Sequence, residues 1–200
     1  MSSFETVPSA AEAQTNGRGQ KHHHIWLVSG PAGCGKTTLA EYLEDALEMP
    51  YIEGDLYHTQ ANVEKMRSGI PLTDADRWDW LIVLRDEFMR QVEGGSEGVV
   101  VTCSALKRKY RDVIRVAVCY NHNILVHFLF LDAPAEVLLH RVTKRQDHYM
   151  RPDMVQSQLD ILEWPTEDER DMVTIDGSRS IEEVKQYVWA WVSDITKADH

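Results

Sequence analysis

The chain reads as an α/β protein built on a parallel sheet, and three observations carry that reading. Short apolar runs rich in β-branched residues alternate with longer stretches of helical period, the pattern of strand–helix–strand units. A glycine-rich turn lies where the first apolar run passes into the first helical stretch. The length of 200 residues, with 43% hydrophobic and 26% charged side chains, suits one soluble domain with one core.

The elements follow in order. Residues 1–21 lack apolar periodicity and read as a disordered tail ahead of a single domain spanning 22–200. His22, His23 and His24 enter a strand, where successive side chains alternate in direction, so they do not converge on one metal. Ile25 to Ser29 is the first strand. Leu39, Leu43, Ala46 and Leu47 then repeat as one face of a helix. Tyr51 to Glu53, Val99 to Thr102, Ile124 to Leu131 and Met172 to Ile175 are the remaining strands. Ile181, Val184, Val188, Trp191 and Ile195 mark a C-terminal helix by the same spacing. These stripes, with Trp78, Trp80 and Trp189, read as core.

Composition excludes several function classes. The apolar run Ile124 to Leu131 falls far short of the roughly 20 residues that span a bilayer. The first 21 residues hold no apolar stretch of the signal-peptide kind, so the reading is a cytoplasmic chain without membrane partners. Cys34, Cys103 and Cys119 show no C-x-x-C spacing and suggest neither a disulfide framework nor a zinc site. A net charge of −11 argues against a nucleic-acid partner. Its distribution is uneven: residues 104–151 carry nine Lys/Arg against four Asp/Glu, whereas 160–200 carry four against eleven. The middle of the chain looks built to meet anions.

Gly30-Pro31-Ala32-Gly33-Cys34-Gly35-Lys36-Thr37 fits G-x-x-x-x-G-K-[ST] between a strand and a helix, the context that motif requires. Backbone N–H groups of such a loop, followed here by Thr38, cradle phosphates at a helix N-terminus. Lys36 reaches the β- and γ-phosphates, and the Thr37 hydroxyl can ligate Mg²⁺. No Asp has a Gly three residues on, as a GTPase switch needs, and Thr196-Lys197-Ala198-Asp199 follows no strand as a guanine motif would. A small-molecule kinase is the economical reading. Asp132 closes an apolar run, yet Asp132-Ala133-Pro134 reads as a helix N-cap in preference to a metal-binding acid. Asp55 stands at the C-terminal end of the second strand, the edge where open α/β sheets bind ligands, and a carboxylate there can orient an attacking hydroxyl. Cations gather at Lys107, Arg108, Lys109 and Arg111, and again at Arg141, Lys144, Arg145 and Arg151, the second group resembling a cationic lid at a helix end.

On these residues the chain resembles the gluconokinases, small P-loop kinases related to shikimate and nucleoside monophosphate kinases. The segments that carry the resemblance are 53–58 (Glu53 to His58), 62–77 (Asn62 to Arg77), 103–112 (Cys103 to Asp112), and His148 with Ser157, Gln158, Leu162 and Glu163. The resemblance implies a three-layer P-loop kinase fold with a five-stranded parallel sheet in the order 2-3-1-4-5 and a small helical lid at about 141–165. It implies ATP- and Mg²⁺-dependent transfer to the 6-hydroxyl of D-gluconate, and a homodimer at the family level. By motif, Lys36, Asp55, Arg141 and Arg145 are catalytic, and residues 30–38 bind nucleotide. Asp55, His58, Lys65, Arg77, Ser104, Lys107, Arg111, His148 and Gln158 meet the sugar acid. The lid departs from the pattern, with Asp147-His148-Tyr149-Met150-Arg151-Pro152 where Gly-His-Phe-Met-Pro-Pro is expected. A related kinase for shikimate or another polyhydroxy acid is the alternative, and a non-catalytic nucleotide-binding module a third reading.

Overall fold

The structure is a computed structural model that describes residues 21–144 and 152–199, with backbone alone at 152–154. Arg145 and His148, and most of the segment joining α6 to α7, lie outside the described residues. In chain order the elements are β1 (His23–Ser29), α1 (Lys36–Leu47), β2 (Tyr51–Glu53), a 3-10 turn (Gly54–Tyr57), α2 (Gln60–Arg67), α3 (Asp74–Glu93), β3 (Gly98–Thr102), α4 (Arg108–Arg115), α5 (Ala117–Tyr120), β4 (Ile124–Asp132), α6 (Ala135–Thr143), α7 (Pro152–Asp160), β5 (Met172–Asp176) and α8 (Ile181–Ala198).

The strands form one sheet in the order β2-β3-β1-β4-β5, every neighbouring pair parallel. Helices cover both faces, which is why the strands are apolar throughout rather than alternating. Ile25 and Leu27 of β1 join Val99, Val101 and Phe128 under Trp80, Leu84 and Phe88 of α3 and Ile114 of α4. Trp26 and Val28 point the other way, with Val100, Leu129 and Leu131, onto Leu39 and Leu43 of α1, Leu138 of α6 and Val184, Val188 and Val192 of α8. Each such side chain contributes about 1.5–3 kcal/mol by leaving water.

Four strand boundaries lie further out than the sequence reading, β3 starting at Gly98 and β5 ending at Asp176 among them. β1 begins at His23, because His23 and His24 pair in register with Ile124 and Leu125. β4 runs on through Asp132, which pairs with Asp176 of β5, and Pro134 rather than Asp132 takes the N-cap of α6. Burial, with the neighbouring Asp176 charge, raises the Asp132 pKa above its ordinary value. At the opposite end of the sheet the histidines do alternate: His23 Nδ1 meets the Ser96 carbonyl, while His22 Nδ1 lies 2.5 Å and His24 Nε2 3.3 Å from the Asp199 carboxylate. The Asp of Thr196-Lys197-Ala198-Asp199 is thus taken by the strand start. No described helix is long and apolar enough to cross a membrane.

Candidate active site

The glycine-rich loop links the end of β1 to α1, whose N-cap is Gly35 with φ +105°. α1 therefore begins with uncapped N–H groups at Lys36, Thr37 and Thr38, the arrangement that receives an anion. Gly30 is obligatory at φ +134°, since a Cβ there would lie 2.4 Å from the Leu131 carbonyl oxygen. Lys36 Nζ donates to the carbonyls of Gly30 (3.0 Å) and Pro31 (3.1 Å), which holds the ammonium over the loop.

Beside it stands the turn after β2. Gly54 N donates to Thr102 Oγ1 (3.1 Å), and the Trp80 indole N–H donates to the Gly54 carbonyl (2.7 Å). A Cβ on Gly54 would sit 2.0 Å from the Thr102 carbonyl oxygen, so only glycine lets β2 and β3 approach this closely. Asp55 follows directly. Glu53, which the sequence reading does not place in the site, accepts from Thr37 Oγ1 (3.1 Å), Tyr51 Oη (2.6 Å) and Thr102 Oγ1 (2.5 Å). Burial acts to raise its pKa, but the hydroxyl donors of Thr102, Tyr51 and Thr37 outweigh it and hold the carboxyl below its ordinary value. Glu53 closes β2 while Asp55 stands in the 3-10 turn that follows, so no strand periodicity pairs the two in the sequence.

A cleft open to solvent is lined by Lys36, Thr37, Glu53, Asp55, His58, Arg77, Trp80, Ser104, Ser157 and Gln158, among others. Ten sequence-predicted residues thus meet there: Ala32, Gly33, Gly35, Lys36 and Thr37 of the loop, with Asp55, His58, Arg77, Ser104 and Gln158. The His58 ring stacks on Trp80 at 4.0 Å, and burial, against the pull of the Asp55 charge, lowers its pKa to about 4. It is therefore neutral at pH 7. Arg77 is 8% exposed and donates to the Leu72 carbonyl (2.5 Å) while lying over the Tyr110 ring. Gln158 on α7 accepts from the Ala32 N–H (2.7 Å), joining α7 to the phosphate loop. Trp80, read as core from the sequence, is core and cleft wall at once.

A second cavity on the other side of the loop is lined by Gly33, Cys34, Gly35, Thr38, Arg141, Lys144, Gly177 and Arg179. Arg141 donates to the Gly177 carbonyl (2.7 Å) there.

Three cations that the resemblance assigns to the sugar acid lie elsewhere. Lys65 pairs with Asp76 (2.6 Å), Lys107 with Asp74 (3.0 Å), and Arg111 is fully buried against Glu169 (2.6 Å). None of the three lines the cleft. Each meets an acid of its own chain in this structure: Arg111 in a fully buried pair, Lys65 and Lys107 in pairs that keep part of their surface in water.

For a divalent metal, no group of three His, Cys, Asp or Glu side chains converges among the described residues. Thr37 Oγ1 and Glu53 Oε2 do stand together at the mouth of the loop. Two hard oxygen donors beside a phosphate site suit Mg²⁺, which takes its remaining ligands from phosphates and water.

A protein-family model described as an AAA domain matches residues 25–163. A probable gluconokinase of Schizosaccharomyces pombe is 48% identical over 161 residues, 80% of this chain and 83% of the relative. Among solved structures, a sugar kinase from Janibacter superposes with a TM-score of 0.78 at 38% identity, covering 89% of this chain and 98% of the other. A gluconokinase from Sinorhizobium meliloti does so with a TM-score of 0.75 at 35% identity, covering 90% and 96%.

Proposed function

The chain belongs to the gluconokinase family of P-loop kinases, and from that premise we propose that it transfers the γ-phosphoryl group of ATP to the 6-hydroxyl of D-gluconate, giving 6-phospho-D-gluconate and ADP. The observation that supports this reading is that one cleft is lined by Lys36 of the phosphate loop together with Asp55, His58 and Arg77. Gluconate offers a carboxylate and five hydroxyls, and that wall offers one carboxylate, one neutral imidazole, one guanidinium and the Ser104 hydroxyl to meet them.

In the reaction, the 6-oxygen forms a bond to the γ-phosphorus while the bond from that phosphorus to the β,γ-bridging oxygen breaks, and the hydroxyl proton leaves toward a base. Asp55 is the carboxylate at the acceptor side of the loop and takes the role of orienting that hydroxyl and receiving its proton. Lys36 turns its ammonium from the loop carbonyls to the transferring phosphate, where charge builds in the transition state. Arg141, with Lys144 and Arg179, faces the nucleotide from the second cavity. Thr37 and Glu53 are the residues that would hold Mg²⁺, whose charge would offset that of the phosphate oxygens. Ser157 and Gln158 close the cleft from α7. A cytoplasmic location and a homodimer complete the reading.

The test is ADP release from Mg-ATP in the presence of gluconate, shikimate, AMP, glucose or no acceptor. Release that requires gluconate is expected. Equal release with and without it, or a preference for shikimate, would remove the assignment.

A further inference from the structure

Arg111 lies outside the cleft, yet its guanidinium is wholly occupied by groups that shape it. Nε and Nη2 donate to the two Glu169 oxygens (2.7 and 2.6 Å), and Nη1 donates to the carbonyls of Ala105 (3.3 Å) and Glu163 (3.1 Å). The side chains of both Arg111 and Glu169 are almost without solvent exposure, 0% and 1%. A buried ion pair of this kind is commonly replaceable by apolar side chains of like volume without loss of stability. Apolar side chains could not, however, hold the two carbonyls.

Those carbonyls belong to the two segments that frame the acceptor side. Ala105 is held at φ +42°, a left-handed conformation that side chains bearing a Cβ avoid. This turn carries Ser104 into the cleft, with its carbonyl accepting from Gly30 N of the phosphate loop (3.2 Å). Glu163 follows α7, its N–H donating to the Leu106 carbonyl (2.8 Å) and its carboxylate accepting from Arg108 N (2.8 Å). The Arg111 fork thus ties the Ser104 turn to the foot of α7, which at Gln158 touches the loop again.

We propose that Arg111 is a positioning residue for the acceptor: by clasping the Ala105 and Glu163 carbonyls together it keeps the Ser104 turn and the foot of α7 in one fixed relation, so that gluconate meets a preformed wall. The proposal rests on the gluconokinase reading above. Arg111→Lys keeps the charge beside Glu169 but cannot span the carboxylate and both carbonyls. The double variant Arg111→Met/Glu169→Met removes the charges together and keeps the volume.

Both variants are assayed for melting temperature, kcat, and KM for each substrate. A KM for gluconate raised about tenfold or more, with KM for ATP within about twofold of wild type, is expected in both, including a double variant that melts like wild type. A folded variant with wild-type KM for gluconate, parallel changes in both KM values, or failure of both variants to fold would overturn the proposal in favour of a purely structural pair. Gluconate-dependent ADP release by the wild type is the control: its absence sinks the assigned reaction, whereas a normal wild type beside unmoved variants sinks only the positioning role.

Discussion

Glu53 ends β2 and Asp55 opens the turn just beyond it, and the two carboxylates divide the labour by their surroundings. Glu53 is wrapped in three hydroxyl donors, one of them Thr37 of the phosphate loop, and Asp55 faces the acceptor wall. Asp55→Asn keeps the shape and most of the hydrogen bonding but removes the proton acceptor. Turnover is expected to fall by about 10² to 10⁴, with KM for ATP and melting temperature near wild type, checked by steady-state kinetics and thermal unfolding. Lys36, Thr37 and Asp55 were legible in the sequence because a loop motif and a strand end define them locally. Arg111, Lys107 and Lys65 were not, because their destination depends on partners 58, 33 and 11 residues away in the chain. A cation in a sequence declares its charge and leaves open whether its anion is a ligand or a neighbouring helix. Glu53 escaped for the converse reason: beside Asp55 it looks like a strand residue, and its role appears only once α1 brings the Thr37 hydroxyl to it.

Among the elements, the turn after β2 has the least room. It is fixed from three sides, by the Thr102 hydroxyl, the Trp80 indole and the Glu53 side chain, which accepts from Asp55 N at 3.5 Å. Gly54→Ala is expected to destabilise the fold by about 1–3 kcal/mol, since a methyl group must push the Thr102 carbonyl aside. A fall in the urea midpoint together with a raised KM for gluconate checks it, because displacing the turn also displaces Asp55. The strands themselves were readable as apolar runs since both sheet faces are covered. Their ends were less so, as the pairing of His23 with Ile124 and of Asp132 with Asp176 extends the ladder through polar residues. α3 opens on a capping box in which Thr73 and Asp76 bond each other reciprocally, and the same Asp76 takes Lys65 from α2. Asp76 thus both closes a helix end and docks the neighbouring helix, and this is the partner Lys65 meets in the structure.

At the scale of the whole molecule, the five described cations at 107–115 in the basic middle of the sequence are neutralised from within. Arg108, Arg111 and Arg115 of α4 meet Asp168, Glu169 and Asp171 of the segment before β5, and Lys107 and Lys109 meet Asp74. Among the described residues the charge asymmetry seen in the sequence is therefore chiefly an internal lock. Protons test the fold at the same scale. Burial lowers His58 and His127 from 6.5 to about 4, so in this window the unfolded chain binds protons that the native state refuses. Their contribution to stability is complete above pH 6.5 and is lost as the pH falls toward 4, at up to about 1.4 kcal/mol per pH unit for each histidine. Urea midpoints between pH 7 and 4 should trace that decline, and His127→Gln should flatten it by roughly half. Below pH 4 the loss passes to carboxylates such as Asp76, which Lys65 holds at about 2, and Asp199, held at about 2 against the pull of burial by its bonds from His22. The last of these joins the two ends of the domain: Asp199 accepts from His22 N at 3.0 Å, at the edge of the sheet away from the cleft. The fold is in effect a closed ring whose starting point is arbitrary. A circular permutant that links 199 to 22 through a short spacer and opens the chain at the exposed Gly94–Gly95 turn would inherit the same sheet order and the same cleft, with new termini beside β3.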